Sequence, residues 1–439
     1  MRNRLSKAPR AALPIFLAIL LSAVCASGGP PSRVWVGTWS AAPQLVEPAN
    51  ALPADELRDS TLRQIVHVSV GGADLRVRLS NSFGAVPLHL DSVHIARAVP
   101  DALGAIDPST DRAVTFSGAP DVTIPSDAEY LSDPVAFRMA PLSDLAITIR
   151  IDEPPADETG HPGSRTTSFA ARGDWISAAE LPHPTEVEHW YFISGVEVLA
   201  PPQDASVVVL GDSITDGHAS TTNQNNRWTD FLARRFQSNP STRGLAVLNE
   251  GIGGNRLLLD GLGPNALARF DRDVLAQAGV RYLIVLEGIN DIGMAGRRGE
   301  ISPAAHRALV HSIIGAYEQM IVRAHAHGIE VIGATILPFV GSVFYHPSTA
   351  FDADRQAINA WIRAPGHFDA VVDFDRVMRD PKAPNRLLPA YDSGDHLHPG
   401  PAGYAAMADA VPLSLFTHAR ASGMLAHPAN HQTRSEVIE

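Results

Sequence analysis

From about residue 204 onward, short apolar runs alternate with amphipathic helical stretches. No other feature of the chain narrows its fold so far. The runs are 206–210, 245–249, 281–287, 330–336 and 370–374. Each has the length of a strand, and continuous apolar character marks strands buried on both faces. Between them Trp228, Phe231, Leu232 and Phe236 recur at helical spacing. So do Val310, Ile313, Ile314, Tyr317, Met320, Ile321 and Ala324. This alternation predicts a parallel sheet covered by helices on both faces, because parallel neighbours need a crossover long enough to hold a helix. Open sheets of this kind bind ligands outside the carboxyl ends of their strands. Side chains just past each run are therefore the ones to inspect for chemistry.

Residues 33–200 show a different period. Apolar and polar residues alternate in Leu75-Arg76-Val77-Arg78-Leu79 and again over 145–151, with further apolar runs at 65–70, 113–116 and 190–198. Gly71-Gly72, Asn81-Ser82 and Glu153-Pro154-Pro155 punctuate them. Many short strands with few helical patterns predict an all-β sandwich or jelly roll. Trp35 and Trp39 are either core residues of that sandwich or platforms for sugar rings. Pro201-Pro202 marks the join to a second domain expected over 204–422, and the polar, aperiodic stretch 423–439 is expected to be a loose tail.

The first 26 residues hold Arg2, Arg4, Lys7 and Arg10 and no acidic residue. An apolar run over 11–24 follows, then the small residues Ala26-Ser27-Gly28. This three-part layout predicts a secretory signal peptide over 1–28. An uncleaved anchor is the rival, but the run is short against the roughly 20 residues of a membrane span. The single cysteine, Cys25, falls inside this segment, behind a bulky Val24 that disfavours a lipid anchor. Cleavage would leave a secreted chain with no cysteine for disulfides or nucleophilic chemistry. It would also take the formal charge from -12 to -16 through loss of four positive charges. That balance argues against nucleic acid as a partner, and no transmembrane segment is expected after cleavage.

Four elements past the later strands could carry chemistry. Gly211-Asp212-Ser213 follows Ser206-Val207-Val208-Val209-Leu210, which places a hydroxyl at a strand end. Ser213 is a candidate nucleophile or simply a helix cap, since Ser and Asp both cap helices well. The segment is not the Gly-x-Ser-x-Gly elbow of α/β-hydrolases, because Asp212 and Thr215 do not fit it. His398 is a candidate base, and Asp395, three residues earlier, could hold its tautomer and orientation. The same loop could instead be plain surface, or a metal site built from Asp392, Asp395, His396 and His398. Gly254, in Gly253-Gly254-Asn255, could present a backbone N–H to a developing oxyanion or merely make a turn. Asn290, in Gly288-Ile289-Asn290-Asp291, could donate a side-chain amide to the same oxyanion or cap a turn. Arg256 and Tyr345 are candidate substrate contacts, from the glycine segment and from Phe344-Tyr345-His346 after the fourth run. Trp228 is expected in the core.

Taken together these blocks resemble the SGNH/GDSL hydrolase superfamily. They are Gly211-Asp212-Ser213-Ile214-Thr215-Asp216-Gly217, Asn249-Glu250-Gly251-Ile252-Gly253-Gly254-Asn255, Gly288-Ile289-Asn290-Asp291 and Asp395-His396-Leu397-His398-Pro399. Ile214 stands where the strict motif has Leu. The resemblance implies a three-layer α/β/α domain with a flavodoxin-like, five-stranded parallel sheet, and no metal or cofactor. It implies a Ser213–His398–Asp395 triad and an oxyanion hole of Ser213 N–H, Gly254 N–H and the Asn290 amide. The earlier region resembles the N-terminal part of a two-domain group in that superfamily, through Gly37-Thr38-Trp39-Ser40-Ala41-Ala42-Pro43 and Leu79-Ser80-Asn81-Ser82-Phe83-Gly84. The expectation is a secreted serine esterase that deacetylates an extracellular polysaccharide. The alternatives are a lipase, lysophospholipase or general carboxylester hydrolase and, more remotely, a glycan-binding protein that keeps the fold without the activity.

Overall fold

The computed structural model describes residues 33–417 apart from positions 156 and 298, and in it the later region holds a five-stranded sheet that is parallel throughout, besides a short antiparallel pair, Arg379–Asp380 with Ala383–Leu387. The strands are β1 (Ala205–Gly211), β2 (Leu245–Gly251), β3 (Val280–Leu286), β4 (Glu330–Ala334) and β5 (Ala370–Val372). Their order in the sheet is β2-β1-β3-β4-β5, the flavodoxin-like arrangement whose order reverses beside β1. Val207, Val208, Val209 and Leu210 are all fully buried, as a strand covered on both faces must be. Each such side chain contributes about 1.5–3 kcal/mol by leaving water. The fourth and fifth strands end earlier than their apolar runs: β4 stops at Ala334, and after β5 Asp373 caps the short helix Phe374–Met378.

Helices cover the sheet. The short α1 (Ser213–Asp216) follows β1 directly, and α2 (Trp228–Ser238) returns the chain to β2. After β3 come α3 (Ile289–Gly296) and the long α4 (Pro303–Ala326), then α5 (Thr349–Arg363) after β4. A final helix, α6 (Pro401–Ala410), packs with α2. Trp228, Leu232 and Phe236 of α2 are fully buried, as are Ile313 and Met320 of α4. The apolar spacing in both segments is therefore the face laid on the sheet. Among the described residues no helix is long and apolar enough to cross a membrane. The leader expected over 1–28, with Cys25, and the tail expected over 423–439 lie outside the described residues.

The earlier region is antiparallel throughout and forms a sandwich. One sheet runs Val34–Ser40, Ile193–Ala200, Gly72–Ser80, Val135–Met139, and Glu129–Leu131 also pairs with Gly72–Ser80. The other runs Thr185–Val187, Ser168–Arg172, Ser60–Val68, Ser143–Ile151, Ser92–Arg97, Arg112–Val114. One apolar cluster draws Val36, Val77 and Val198 from the first sheet and Leu62, Ile147 and Ile95 from the second. Trp39 is buried in that cluster, edge-on to Trp190. Trp35 is covered by the guanidinium of Arg76, 4.3 Å above its ring.

One compact unit begins at Arg33 and takes in both regions. Their seam explains the first of the two motifs in the sandwich. Gly37 lies against Leu248 of β2, where a Cβ would come within 2.8 Å of the leucine methyl. Gly37 N–H donates to the Ala278 carbonyl, and the Ser206 hydroxyl donates to the Gly37 carbonyl. Thr38 and Ser69 complete the seam, the Ser69 hydroxyl accepting from Val247 N–H. A larger residue at 37 would separate the two layers.

Candidate active site

Ser213 stands where the sheet and the helices meet. Gly211 ends β1 in a turn so tight that a Cβ would sit 2.2 Å from the Thr215 hydroxyl. Asp212 then caps α1, its carboxylate accepting from Ile214 N–H at 2.9 Å. Capping is thus the work of Asp212, which leaves the Ser213 hydroxyl for another partner. That partner is His398: Ser213 Oγ and His398 Nε2 are 2.8 Å apart. Asp212 is buried, and burial raises its carboxyl to about 7, against the Ile214 N–H that favours the charged form.

His398 and Asp395 share a closed loop. Asp395 Oδ1 accepts from the backbone N–H groups of Leu397 and His398, at 2.9 and 2.8 Å. Its Oδ2 lies 2.6 Å from His398 Nδ1. Burial would raise the Asp395 carboxyl, but the hydrogen bonds from His398, through its ring and its backbone N–H, hold it well below the usual carboxylate range. An ionised carboxylate can only accept. Nδ1 must therefore carry the proton, leaving Nε2 free to accept from the Ser213 hydroxyl. His396 faces elsewhere: its Nδ1 lies 2.5 Å from Asp392. The suspected metal quartet is thus split into two separate pairs. Among the described residues, the one group of such side chains close enough to share an ion is His218, Asp395 and His398.

The remaining candidates gather around the ends of β2 and β3. Gly254 adopts φ +71°, a left-handed conformation that disfavours a side chain, with Leu262 against it. Among the described residues, neither its N–H nor that of Ser213 donates to another group. Asn290 opens α3 behind Gly288, and its amide nitrogen donates to the Asn255 carbonyl at 2.8 Å. Asp291 ties the two segments together, accepting from Leu257 N–H and Leu258 N–H. Beneath them Arg269, fully buried, donates to the carbonyls of Gly211 and Glu250 and to the Asn255 side chain. One guanidinium thus links the ends of β1 and β2 to the glycine segment. Nothing in the local sequence marks Arg269 for that role.

Tyr345 and Arg256 have definite partners. The Tyr345 hydroxyl donates to Asn290 Oδ1 at 2.6 Å. Arg256 donates to the Asp260 carbonyl within its own loop. Phe344, exposed, turns its ring edge-on to His398 at 5.8 Å between centroids. Trp228 is in the core.

The sandwich also reaches this site, which the linear sequence does not reveal. His161, on the strand Thr159–His161, lies 3.1 Å from Asp216 at the end of α1. The Ser164 carbonyl accepts from Arg227, and Arg165 Nη2 donates to His218 Nδ1 at 3.2 Å. The His218 ring is 4.1 Å from that of His398, centroid to centroid. Burial, then the neighbouring His398 and Arg165, push the His218 imidazole down to about 4, so it is neutral near pH 7.

A hydroxyl hydrogen-bonded to an imidazole that is itself oriented by a carboxylate can act as a nucleophile toward an acyl carbon. Residues 209–406 match the family model of GDSL-like lipases and acylhydrolases. Among solved structures, a GDSL-like lipase from Bacteroides thetaiotaomicron is 22% identical, over 48% of this chain and 87% of its own, with a TM-score of 0.35. An acetyl xylan esterase from Geobacillus stearothermophilus is 19% identical, over 47% of this chain and 94% of its own, also at 0.35. No curated protein matches the chain. Residues 209–406 form a GDSL-like lipase/acylhydrolase domain, and the chain that carries it is a carboxylic ester hydrolase.

Proposed function

We propose that Ser213 is the nucleophile of a secreted serine esterase and that its physiological ester is an acetyl group on an extracellular polysaccharide. The observation that carries the mechanism is the continuous chain Ser213 Oγ, His398 Nε2, His398 Nδ1, Asp395 Oδ2, with links of 2.8 and 2.6 Å. Ser213 Oγ attacks the ester carbonyl while His398 Nε2 takes its proton. The carbonyl oxygen becomes an oxyanion, held by Ser213 N–H, Gly254 N–H and the Asn290 amide. Collapse breaks the bond to the alcohol, which leaves with the proton from His398. Water then attacks the acyl-Ser213, giving one proton to His398. The second collapse returns that proton to Ser213 and releases the acid. Asp395 stays ionised throughout and stabilises the transient imidazolium.

The polysaccharide reading rests on a groove of about 510 Å³ between the two regions. His67, Asp144, Thr166, Thr222, Asn223 and Gln224 line it in part. Hydroxyls, amides and carboxylates are the partners sugar hydroxyls need. Thr166 adjoins Arg165, whose guanidinium donates to His218, the neighbour of His398. A second reading, an esterase for apolar acyl chains, is favoured by the exposed side chains of Leu259, Leu262, Val343 and Phe344 on the loops after β2 and β4. Purified protein should hydrolyse p-nitrophenyl acetate, with or without prolonged chelation. It should release acetate from acetylated xylan and lose efficiency as the acyl chain of p-nitrophenyl esters lengthens. Efficiency that rises with chain length, with no acetate released from xylan, would transfer the assignment to the second reading. Loss of activity on chelation and recovery with zinc would overturn the metal-independent mechanism.

A further inference from the structure

We infer that Tyr345 is a positioning residue that locks the Asn290 amide in the one orientation able to stabilise an oxyanion; this rests on the oxyanion role proposed for Asn290. A side-chain amide has two ends of similar shape and opposite function, and rotating it by half a turn exchanges donor for acceptor. If Asn290 turned its oxygen toward the reacting carbonyl, it would repel the charge it is meant to hold.

Two contacts decide the orientation. The Asn255 carbonyl can only accept, so the group 2.8 Å from it must be the Asn290 nitrogen. The oxygen then faces Tyr345, whose hydroxyl donates to it at 2.6 Å. Among the described residues the second N–H of the amide has no acceptor, which leaves it for the substrate. Turning the amide over would set its oxygen against the Asn255 carbonyl, acceptor against acceptor, and lose that contact. The Asn255 carbonyl excludes the reversed amide, and the Tyr345 hydroxyl anchors the oxygen in the state that remains.

Tyr345 is itself held. Its ring packs on α3 at Gly293, where a Cβ would come within 2.5 Å of the ring carbons. The loop that carries it is tied to the triad loop, because Val343 N–H donates to the Asp395 carbonyl at 3.1 Å. Burial, then the nearby Asp212, push the phenol up to about 12, so it keeps its proton at working pH. The hydroxyl therefore has a proton to donate to Asn290 Oδ1. Gly293 and Tyr345 also explain each other: the glycine makes room for the ring, and the ring fixes the amide on the same helix.

The test is a double-mutant cycle of Tyr345→Phe and Asn290→Ala on p-nitrophenyl acetate. Folding is checked by circular dichroism, and Ser213 by labelling with a phosphonate. Tyr345→Phe should lower kcat on the order of tenfold, part of the 10²–10³ usual for a whole oxyanion donor, and leave KM nearly unchanged. In the Asn290→Ala background it should change kcat by less than about twofold, because its effect runs through the missing amide. Gly293→Ala, which displaces the ring, should repeat the loss if Tyr345→Phe does not fold. Equal factors in both backgrounds would overturn the inference, as would a wild-type kcat for Tyr345→Phe. In either case labelled Ser213 and a slow Asn290→Ala would leave the esterase mechanism standing. An undiminished Asn290→Ala would instead remove the oxyanion role, and the inference with it.

Discussion

The parallel α/β region and the sandwich contribute to one site in different ways. Ser213, Gly254 and Asn290 each follow a successive strand of the parallel sheet, and Asp395 and His398 sit on a loop closed at the same edge. The sandwich supplies none of these groups. Beside this site its hydrogen bonds meet Asp216, His218, Asn223 and Arg227, which span the segment between α1 and α2. One region thus holds the candidate catalytic groups, and the other braces the loop beside them. The difference has a physical origin. A parallel sheet ends all its strands at one edge, so groups from distant positions converge there. A sandwich presents loops at its ends, and a loop such as 162–167 can only reach across to what is already built.

The largest effect should come from the nucleophile. Ser213→Ala should fold normally and lose on the order of 10⁴-fold or more in kcat, and a serine-directed phosphonate should add one mass increment, on Ser213. A label on Ser164 of the sandwich, with Ser213→Ala still active, would erase the contrast between the regions. Next, His398→Ala should approach the Ser213→Ala loss, since members of a triad act as a unit, while His396→Ala should keep most activity. Kinetics near pH 8 on variants with matching circular dichroism decide this. An active His398→Ala beside a dead His396→Ala would reassign the loop.

The bracing role predicts a smaller and different outcome. His161→Ala removes the partner of a buried Asp216 and the ring stacked on Trp190. It should cost about 1–3 kcal/mol of stability, seen as a lower Tm, with kcat reduced less than tenfold. A kcat loss as large as that of His398→Ala would place the sandwich in the chemistry itself. The smallest effect concerns Glu158, also in the sandwich. Burial raises its carboxyl to about 7, opposed by a hydrogen bond from Leu52 N–H. A raised carboxyl stabilises the fold fully below its unfolded value, near 4.5, and that contribution is lost as pH rises through about 7. Glu158→Gln should therefore flatten the fall in Tm between about pH 5 and pH 8 and leave activity alone. An unchanged Tm profile would show that water reaches this carboxyl freely.

Much of this was legible because it is local in the chain. The strand runs announced the parallel sheet, since apolar character on both faces has few other uses. The Gly-Asp-Ser turn placed Ser213 past β1, and Asp395 and His398 were close enough in sequence to pair by loop geometry. The same local logic does not reach distant partners. Tyr345 has the position of a substrate contact, but its hydroxyl meets Asn290, 55 residues away. Asp392 and His396 sit among ligand-type residues, yet they pair with one another.

By itself the sequence determined the two fold classes, the strand ends that bear the candidate groups, and the family. It could do so because hydrophobic period, turn residues and short spacings act over a few residues. Only the tertiary structure decided the tautomer of His398, the orientation of the Asn290 amide, the neutral His218 beside His398, and the reach of His161 and Arg165 across the seam. Those features depend on which distant groups share a low-dielectric space, where each hydrogen bond or charge sets the state of its neighbour. No local pattern encodes that: Arg269 lies 58 residues from the Gly211 carbonyl it holds, and nothing near it in the chain says so.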